Sequence, residues 1–196
     1  MGVTGASGAL YARCLLDELL DAGVQVHLIV SPRGRQVVAS ELGTDVLTAR
    51  TATGDHLTFH HHDDLFSPLA SGTYPTDGMV VCPCSCNTLA AIASGLGDNL
   101  LTRAAHVHLK ERRPLVLCIR EMPLTPIDLE NLLRVGRAGA VVCPAAPAFY
   151  GRPESLNDLV RSVVGKLLDL LGVPNDLTVR WDASAARAAR RANQGG

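Results

Sequence analysis

Short apolar runs alternate with amphipathic stretches along almost the whole chain, and few folds satisfy that pattern. Residues 1–4 read as the end of a strand, followed by strands over 24–30, 78–82, 115–119 and 140–143. These runs are of strand length and apolar on successive residues, as strands buried on both faces must be. Between them, helical spacing covers 6–22, 32–42, 87–94, 99–111, 126–135 and 155–171. Gly23 and Gly172 stop two of these helices, and Ser31-Pro32 starts another as a cap with proline in the first turn. Residues 43–76 are irregular apart from a short strand at 57–60. The Ala/Arg/Gly-rich end, 182–196, reads as a mobile tail in which 183–192 has helical character.

Strands separated by helices imply an α/β fold: one parallel sheet with helices on both faces. A length of 196 residues fits a single domain, placed at 1–181, and 47% apolar residues can fill its core. With only 19% charged residues, disorder of the whole chain is excluded. A formal charge of −1 removes the electrostatic case for a general nucleic-acid binder. No apolar run approaches the ~20 residues of a bilayer span, and no basic region precedes an apolar core at the start. A cytoplasmic protein without nucleic-acid or membrane partners is expected. Cys14, Cys82, Cys84, Cys86, Cys118 and Cys143 mostly lie in or beside apolar runs, which reads as buried thiols rather than a disulfide framework.

Ligands of such sheets bind beyond the C-terminal strand ends, so the strand-to-helix junctions carry the functional information. The first, Gly2 to Ala9, has small residues that let a backbone approach a ligand at a helix N-terminus. Its spacing is not the dinucleotide fingerprint, and a plain tight turn explains it as well. At Cys82-Pro83-Cys84-Ser85-Cys86-Asn87-Thr88 a strand runs into hydroxyl and amide side chains suited to a phosphate or a flavin edge. The alternating cysteines lack the two to four intervening residues of structural zinc sites. Arg120-Glu121 closes a buried strand. Arg120 suits an anion and Glu121 a general acid or base, unless the two are a structural ion pair. The last junction, 144–153, is stiffened by three prolines and presents Tyr150. The run His60 to Asp64 reads as a solvated loop, because neighbouring strand residues point to opposite faces and rarely share one ion.

Taken together, the motifs GVTGASGALYA, ASGT (70–73), PCSCNTLAAIASGLGDNLLTRAAHVHLKERRPLVL, REMPL, DLENLL, AGAVVCPAAPAFYGRP and LLDLLG resemble those of the UbiX-type flavin prenyltransferases, in order and from Gly2 to about Trp181. The resemblance implies a Rossmann-like, flavodoxin-like flavoprotein. It would join the dimethylallyl group of dimethylallyl monophosphate to reduced FMN at N5 and C6, without metal. The product, prenylated FMN, would serve a UbiD-type decarboxylase. Active sites would be shared between subunits of a homo-oligomer, typically a dodecamer.

Carried over by motif, Gly5, Ala6, Ser7 and Ser31 would contact FMN. Ser85, Cys86, Asn87 and Thr88 would hold its phosphate region, with Arg103 nearby, and Arg120 would touch both ligands. Lys110, Arg120, Tyr150 and Lys166 would bind the donor phosphate. Ser7, Glu41 and Glu121 would handle protons, and Trp181 would flank the prenyl pocket. These residue types suit the chemistry: ionising an allylic phosphate leaves an anion for cationic and hydroxyl donors, and a carbocation for a π-face. Lys110 and Lys166 are the only lysines among eighteen basic residues, and both fall at proposed phosphate contacts. The chain departs from the family in having fewer residues ahead of Gly2, and Lys where Arg is common at 166; lysine keeps the charge but loses the bidentate fork. The alternatives are a flavin-dependent cysteine decarboxylase of the phosphopantothenoylcysteine type, which has a similar Asn-Thr segment, and a carrier that binds prenylated FMN without making it.

Overall fold

The computed structural model describes residues 1–43, 47 and 56–177. Within them lie six strands, β1 (Gly2–Val3), β2 (Val26–Val30), β3 (Leu57–His60), β4 (Met79–Cys84), β5 (Leu115–Ile119) and β6 (Val141–Pro144). They form one sheet in the order β3-β2-β1-β4-β5-β6. Every neighbouring pair is parallel. This is the Rossmann order, in which the chain builds outward from β1 on one side and then returns to lay β4 on the other. The crevice beyond the ends of β1 and β4 is therefore the place where loops diverge and a ligand fits.

Among the described residues are six α-helices, five lying between strands and the last following β6: α1 (Ala9–Asp21), α2 (Pro32–Leu42), α3 (Cys86–Ala93), α4 (Leu100–Lys110), α5 (Pro126–Ala138) and α6 (Leu156–Leu171). Side chains of β4 and β5 alternate between two cores, as the period of a strand requires. Val80, Cys82, Val116 and Cys118 pack with α1 and α6. Met79, Val81, Leu115, Leu117 and Ile119 pack against α3 and α4. Both faces are covered, so the backbone of this short-stranded sheet is shielded and only its ends remain available for chemistry. Among the described residues no helix is long and apolar enough to cross a membrane.

Two of the boundaries that differ from expectation do so for clear local reasons. The helix expected from residue 6 begins at Ala9, because Gly8 sits at φ 113°, a left-handed conformation that ends any helix running through it. The strand expected to stop at Cys82 continues to Cys84, with its register shifted between Val81 and Cys84; an irregularity of this kind is where a strand tolerates proline. His60 ends β3, in line with the short strand expected over 57–60, and the loop of the His60 to Asp64 run begins at His61. His60 Nε2 lies 2.9 Å from His27 Nδ1 and its Nδ1 2.9 Å from Ser67 Oγ, while Tyr74 Oη is 3.2 Å from His27 Nε2. The expectations for Trp181 and for the tail 182–196 lie outside the described residues.

Candidate active site

The ends of β1 and β4 are tied by one side chain. Thr4, 1% exposed, donates its hydroxyl to the Pro83 carbonyl at 2.8 Å and accepts the Ser85 N–H at 2.8 Å. Ser85 caps α3: its Oγ accepts the Thr88 N–H at 3.4 Å and donates to Thr88 Oγ1 at 3.2 Å. The first turn of α3 thus presents two hydroxyls beside N–H groups that have no carbonyl partner within the helix. A phosphate fits this donor set, by charge and by the helix dipole. Neighbouring loops close in tightly. A Cβ on Gly5 would lie 2.7 Å from Arg33 Cβ, and one on Gly34 would lie 2.7 Å from the Val3 carbonyl oxygen. Ser31 caps α2 by accepting the Gly34 N–H at 3.0 Å.

The N-terminus of α1 is treated differently. Glu41, at the end of α2, accepts the Gly8 N–H at 3.2 and 3.0 Å and the Ala9 N–H at 2.8 Å. Burial pushes its carboxyl up, but the Ser7 hydroxyl, these two N–H groups and the Arg120 charge outweigh burial and hold it below its ordinary value. The glycine-rich turn is therefore filled by a protein carboxylate, which leaves the first turn of α3 as the donor set that suits a phosphate. Ser7, Glu41 and Arg120, far apart in sequence, meet here. Arg120 leaves the end of β5, its N–H reaching the Cys84 carbonyl at 3.3 Å. Glu121 follows, exposed, accepting the Met122 N–H at 3.1 Å. Gly5, Ala6, Ser7, Ser31, Glu41, Ser85 to Thr88, Arg120 and Glu121 all lie at or beside the C-terminal ends of β1, β2, β4 and β5.

Tyr150 and Lys166 come together elsewhere, on a cavity of about 600 Å³ between the loop after β6 and α6. It adjoins the same edge of the sheet, because the Ala145 N–H donates to the Ile119 carbonyl at 2.8 Å. Arg103 and Lys110 are seven residues apart on one face of α4. Arg103 Nε donates to the Ala70 carbonyl at 3.0 Å, and Lys110 pairs with Glu111 beside Gly72. Lys110 ends α4 just before β5 begins, so within one chain the length of β5, about 16 Å, separates it from Arg120. Among the described residues no three His, Cys, Asp or Glu side chains are grouped to hold a metal ion.

Sequence reasoning missed Thr4 and Asp128. Thr4 was signalled by a hydroxyl ending an apolar run. Asp128 was signalled by Thr125-Pro-Ile-Asp128, the spacing of a capping box, which the structure contains.

Comparison with known proteins adds to this geometry. The Flavoprotein family model matches residues 1–168. The flavin prenyltransferase UbiX of Methanocaldococcus jannaschii is 45% identical over 179 residues, covering 91% of this chain and 95% of the relative. The crystal structure of AnUbiX (PadA1) in complex with FMN and dimethylallyl pyrophosphate superposes with a TM-score of 0.86 at 42% identity, over 93% of this chain and 95% of that one. A dodecameric FMN-dependent UbiX-like decarboxylase from Escherichia coli O157:H7 gives 0.87 at 40% identity, over 93% and 97%. A PPC decarboxylase, by contrast, is 21% identical with a TM-score of 0.56, a likeness of fold alone.

Proposed function

This chain belongs to the UbiX flavin prenyltransferase family, and on that premise we propose how its own residues carry the transfer of a dimethylallyl group to FMN. The observation that carries the reading is the convergence of Ser7, Glu41, Arg120 and the Ser85–Thr88 turn on one crevice, within a chain that matches these relatives over nine-tenths of its length.

Ser85, Thr88 and the first N–H groups of α3 hold the FMN phosphate, with Cys86 and Asn87 beside it. Gly5, Ala6, Ser7 and Ser31 border the rest of the flavin. When bound, FMN supplies the nucleophilic N5 and C6. Arg120, whose charge already reaches Glu41, stands between the flavin region and the donor. Tyr150 and Lys166, lining one cavity, bind the donor phosphate and stabilise it as it leaves. Glu121 accepts the proton that must be lost when the new ring closes, and its exposure lets it pass that proton to water. Ser7 and Glu41 form the second proton-handling pair. Lys110, and Arg103 on the same face of α4, serve a neighbouring copy's site, which supports a homo-oligomer with shared sites and, by the dodecameric relative, twelve subunits. Trp181 would border the prenyl pocket. The six cysteines, those described being free, suit a reducing cytoplasm.

The product passes to a UbiD-type decarboxylase. Purified protein given reduced FMN and dimethylallyl monophosphate should convert an inactive apo-decarboxylase of that type into an active one. Failure to activate, with prenylated flavin demonstrably formed, would overturn that recipient.

A further inference from the structure

The loop after β6 turns on an unusual residue. Arg152 has φ 51°, in the left-handed region that side chains avoid, and Pro153 restricts it further. Gly151 beside it could adopt such a φ freely, yet the left-handed conformation falls on the arginine. The turn is closed by the Arg152 N–H, which donates to the Phe149 carbonyl at 3.0 Å. The loop is also held to α6. The Ala148 N–H donates to Ser162 Oγ at 3.4 Å, and that hydroxyl donates to the Leu159 carbonyl at 2.8 Å. Backbone strain that the surroundings fix in this way gathers at ligand clamps.

The arginine so placed lines the cavity of about 600 Å³ that Tyr150 and Lys166 also line. Two other cations and three carboxylates border the same space: Arg161 and Lys166, and Glu154, Asp158 and Asp169. Several of these already have partners. Arg161 donates to Glu18 Oε1 at 3.1 Å. Asp158 caps α6, accepting the Glu154 N–H at 3.0 Å and the Ser155 N–H at 2.9 Å. Asp169 accepts the Asn175 amide at 3.1 Å. Among the described residues Arg152 and Lys166 enter no ion pair. They are the cations of this cavity left for a ligand. With carboxylates so near, a point charge alone does not fix the place of an anion; directed hydrogen bonds do.

We propose that Arg152 is a further binding residue for the donor phosphate, supplying the two parallel N–H donors that Lys166 lacks. The inference rests on the reading of this cavity as the donor site. A guanidinium spans two phosphate oxygens, whereas an ammonium offers charge without that direction. When the allylic C–O bond breaks, its electron pair goes to the phosphate oxygen, and charge builds on the group that Arg152 holds. The turn fixed in advance lowers the cost of ordering a long side chain on binding.

The test is calorimetric binding of dimethylallyl monophosphate to protein loaded with oxidised FMN, so that no turnover intervenes. Arg152→Gly removes the guanidinium and suits the backbone. It should weaken donor binding about 10-fold, the lower end for a charge-assisted contact because the loop is exposed. FMN affinity should stay within a few-fold, and the Tm of donor-free protein should not fall. Arg152→Lys should recover only a minor part of the lost affinity. Lys166→Arg, added to Arg152→Gly, should recover more, because a fork returns to the cavity. Unchanged donor affinity in Arg152→Gly, or an Arg152→Lys variant as good as the wild type, would overturn the assignment. A parallel loss of FMN would mark Arg152 as structural and overturn it too. If Lys166→Ala abolishes donor binding while Arg152→Gly leaves it intact, this assignment alone fails. If Lys166→Ala and Tyr150→Phe leave it intact as well, the cavity is not the donor site, and the reading beneath the assignment fails with it.

Discussion

Glu41 reaches from the end of α2 to the first N–H groups of α1, where sequence alone suggests the close approach of a ligand. Its carboxyl is held below the ordinary value despite burial, so the folded state favours the ionised form. The stabilisation is present above the ordinary carboxylate range and is lost as pH falls through the lowered folded value. Glu41→Gln should cost about 0.5–1 kcal/mol at pH 7, given the exposure of the side chain. Thermal melts of the two proteins should converge as pH falls below about 4; a gap that persists unchanged in acid would show that the effect is not the charge. Glu121 makes the opposite case, since it is exposed and contacts little. Glu121→Gln should leave FMN affinity within a few-fold while turnover falls about 10²–10⁴-fold, the range of a general acid–base group. Loss of FMN binding with turnover per bound flavin intact would instead make Glu121 a structural partner of Arg120.

At the scale of elements, β1 is only two residues long, yet it sits at the centre of the sheet. Its end is secured by the Thr4 hydroxyl, which joins Pro83 and the capping residue of α3. Thr4→Val keeps the shape and removes the bridge, leaving the part-buried Ser85 N–H without that acceptor. It should cost about 1–3 kcal/mol in denaturant unfolding and weaken FMN binding, while Thr4→Ser should do neither to the same extent. Equal FMN affinity in Thr4→Val would disconnect the bridge from the phosphate turn. The elements themselves were legible because apolar runs and capping residues are local signals: Ser31, Gly23 and Gly172 act where their chemistry says they should. The meeting of Ser7 with Glu41 and Arg120 was legible only through family motifs, since residues 34 and 113 positions apart share no local pattern. Thr4, Asp128 and the His27–His60 contact went unread for a related reason. Each depends on which strand or helix lies next to which, and the sheet order β3-β2-β1-β4-β5-β6 is fixed by packing across the whole chain.

For the molecule as a whole, the consequence concerns assembly. Lys110 ends α4 before β5 begins and Arg120 follows that strand, so the two lie toward opposite ends of β5, and a donor phosphate held by both is expected to draw them from two copies. Lys110→Ala chains and Glu121→Gln chains should each be nearly inactive. Refolded together, they should regain about a quarter of wild-type turnover if each site draws one of these residues from each of two copies, by random pairing. No recovery in verified mixed oligomers would mean that each chain builds its own site. The central claim is prior to all of these: the chain itself joins a dimethylallyl group to FMN. Purified protein should be incubated anaerobically with reduced FMN and dimethylallyl monophosphate, and the released flavin weighed by mass spectrometry. A flavin heavier by one prenyl unit, absent when protein or donor is omitted, is the predicted result; unmodified FMN from protein shown to have bound both ligands would contradict it.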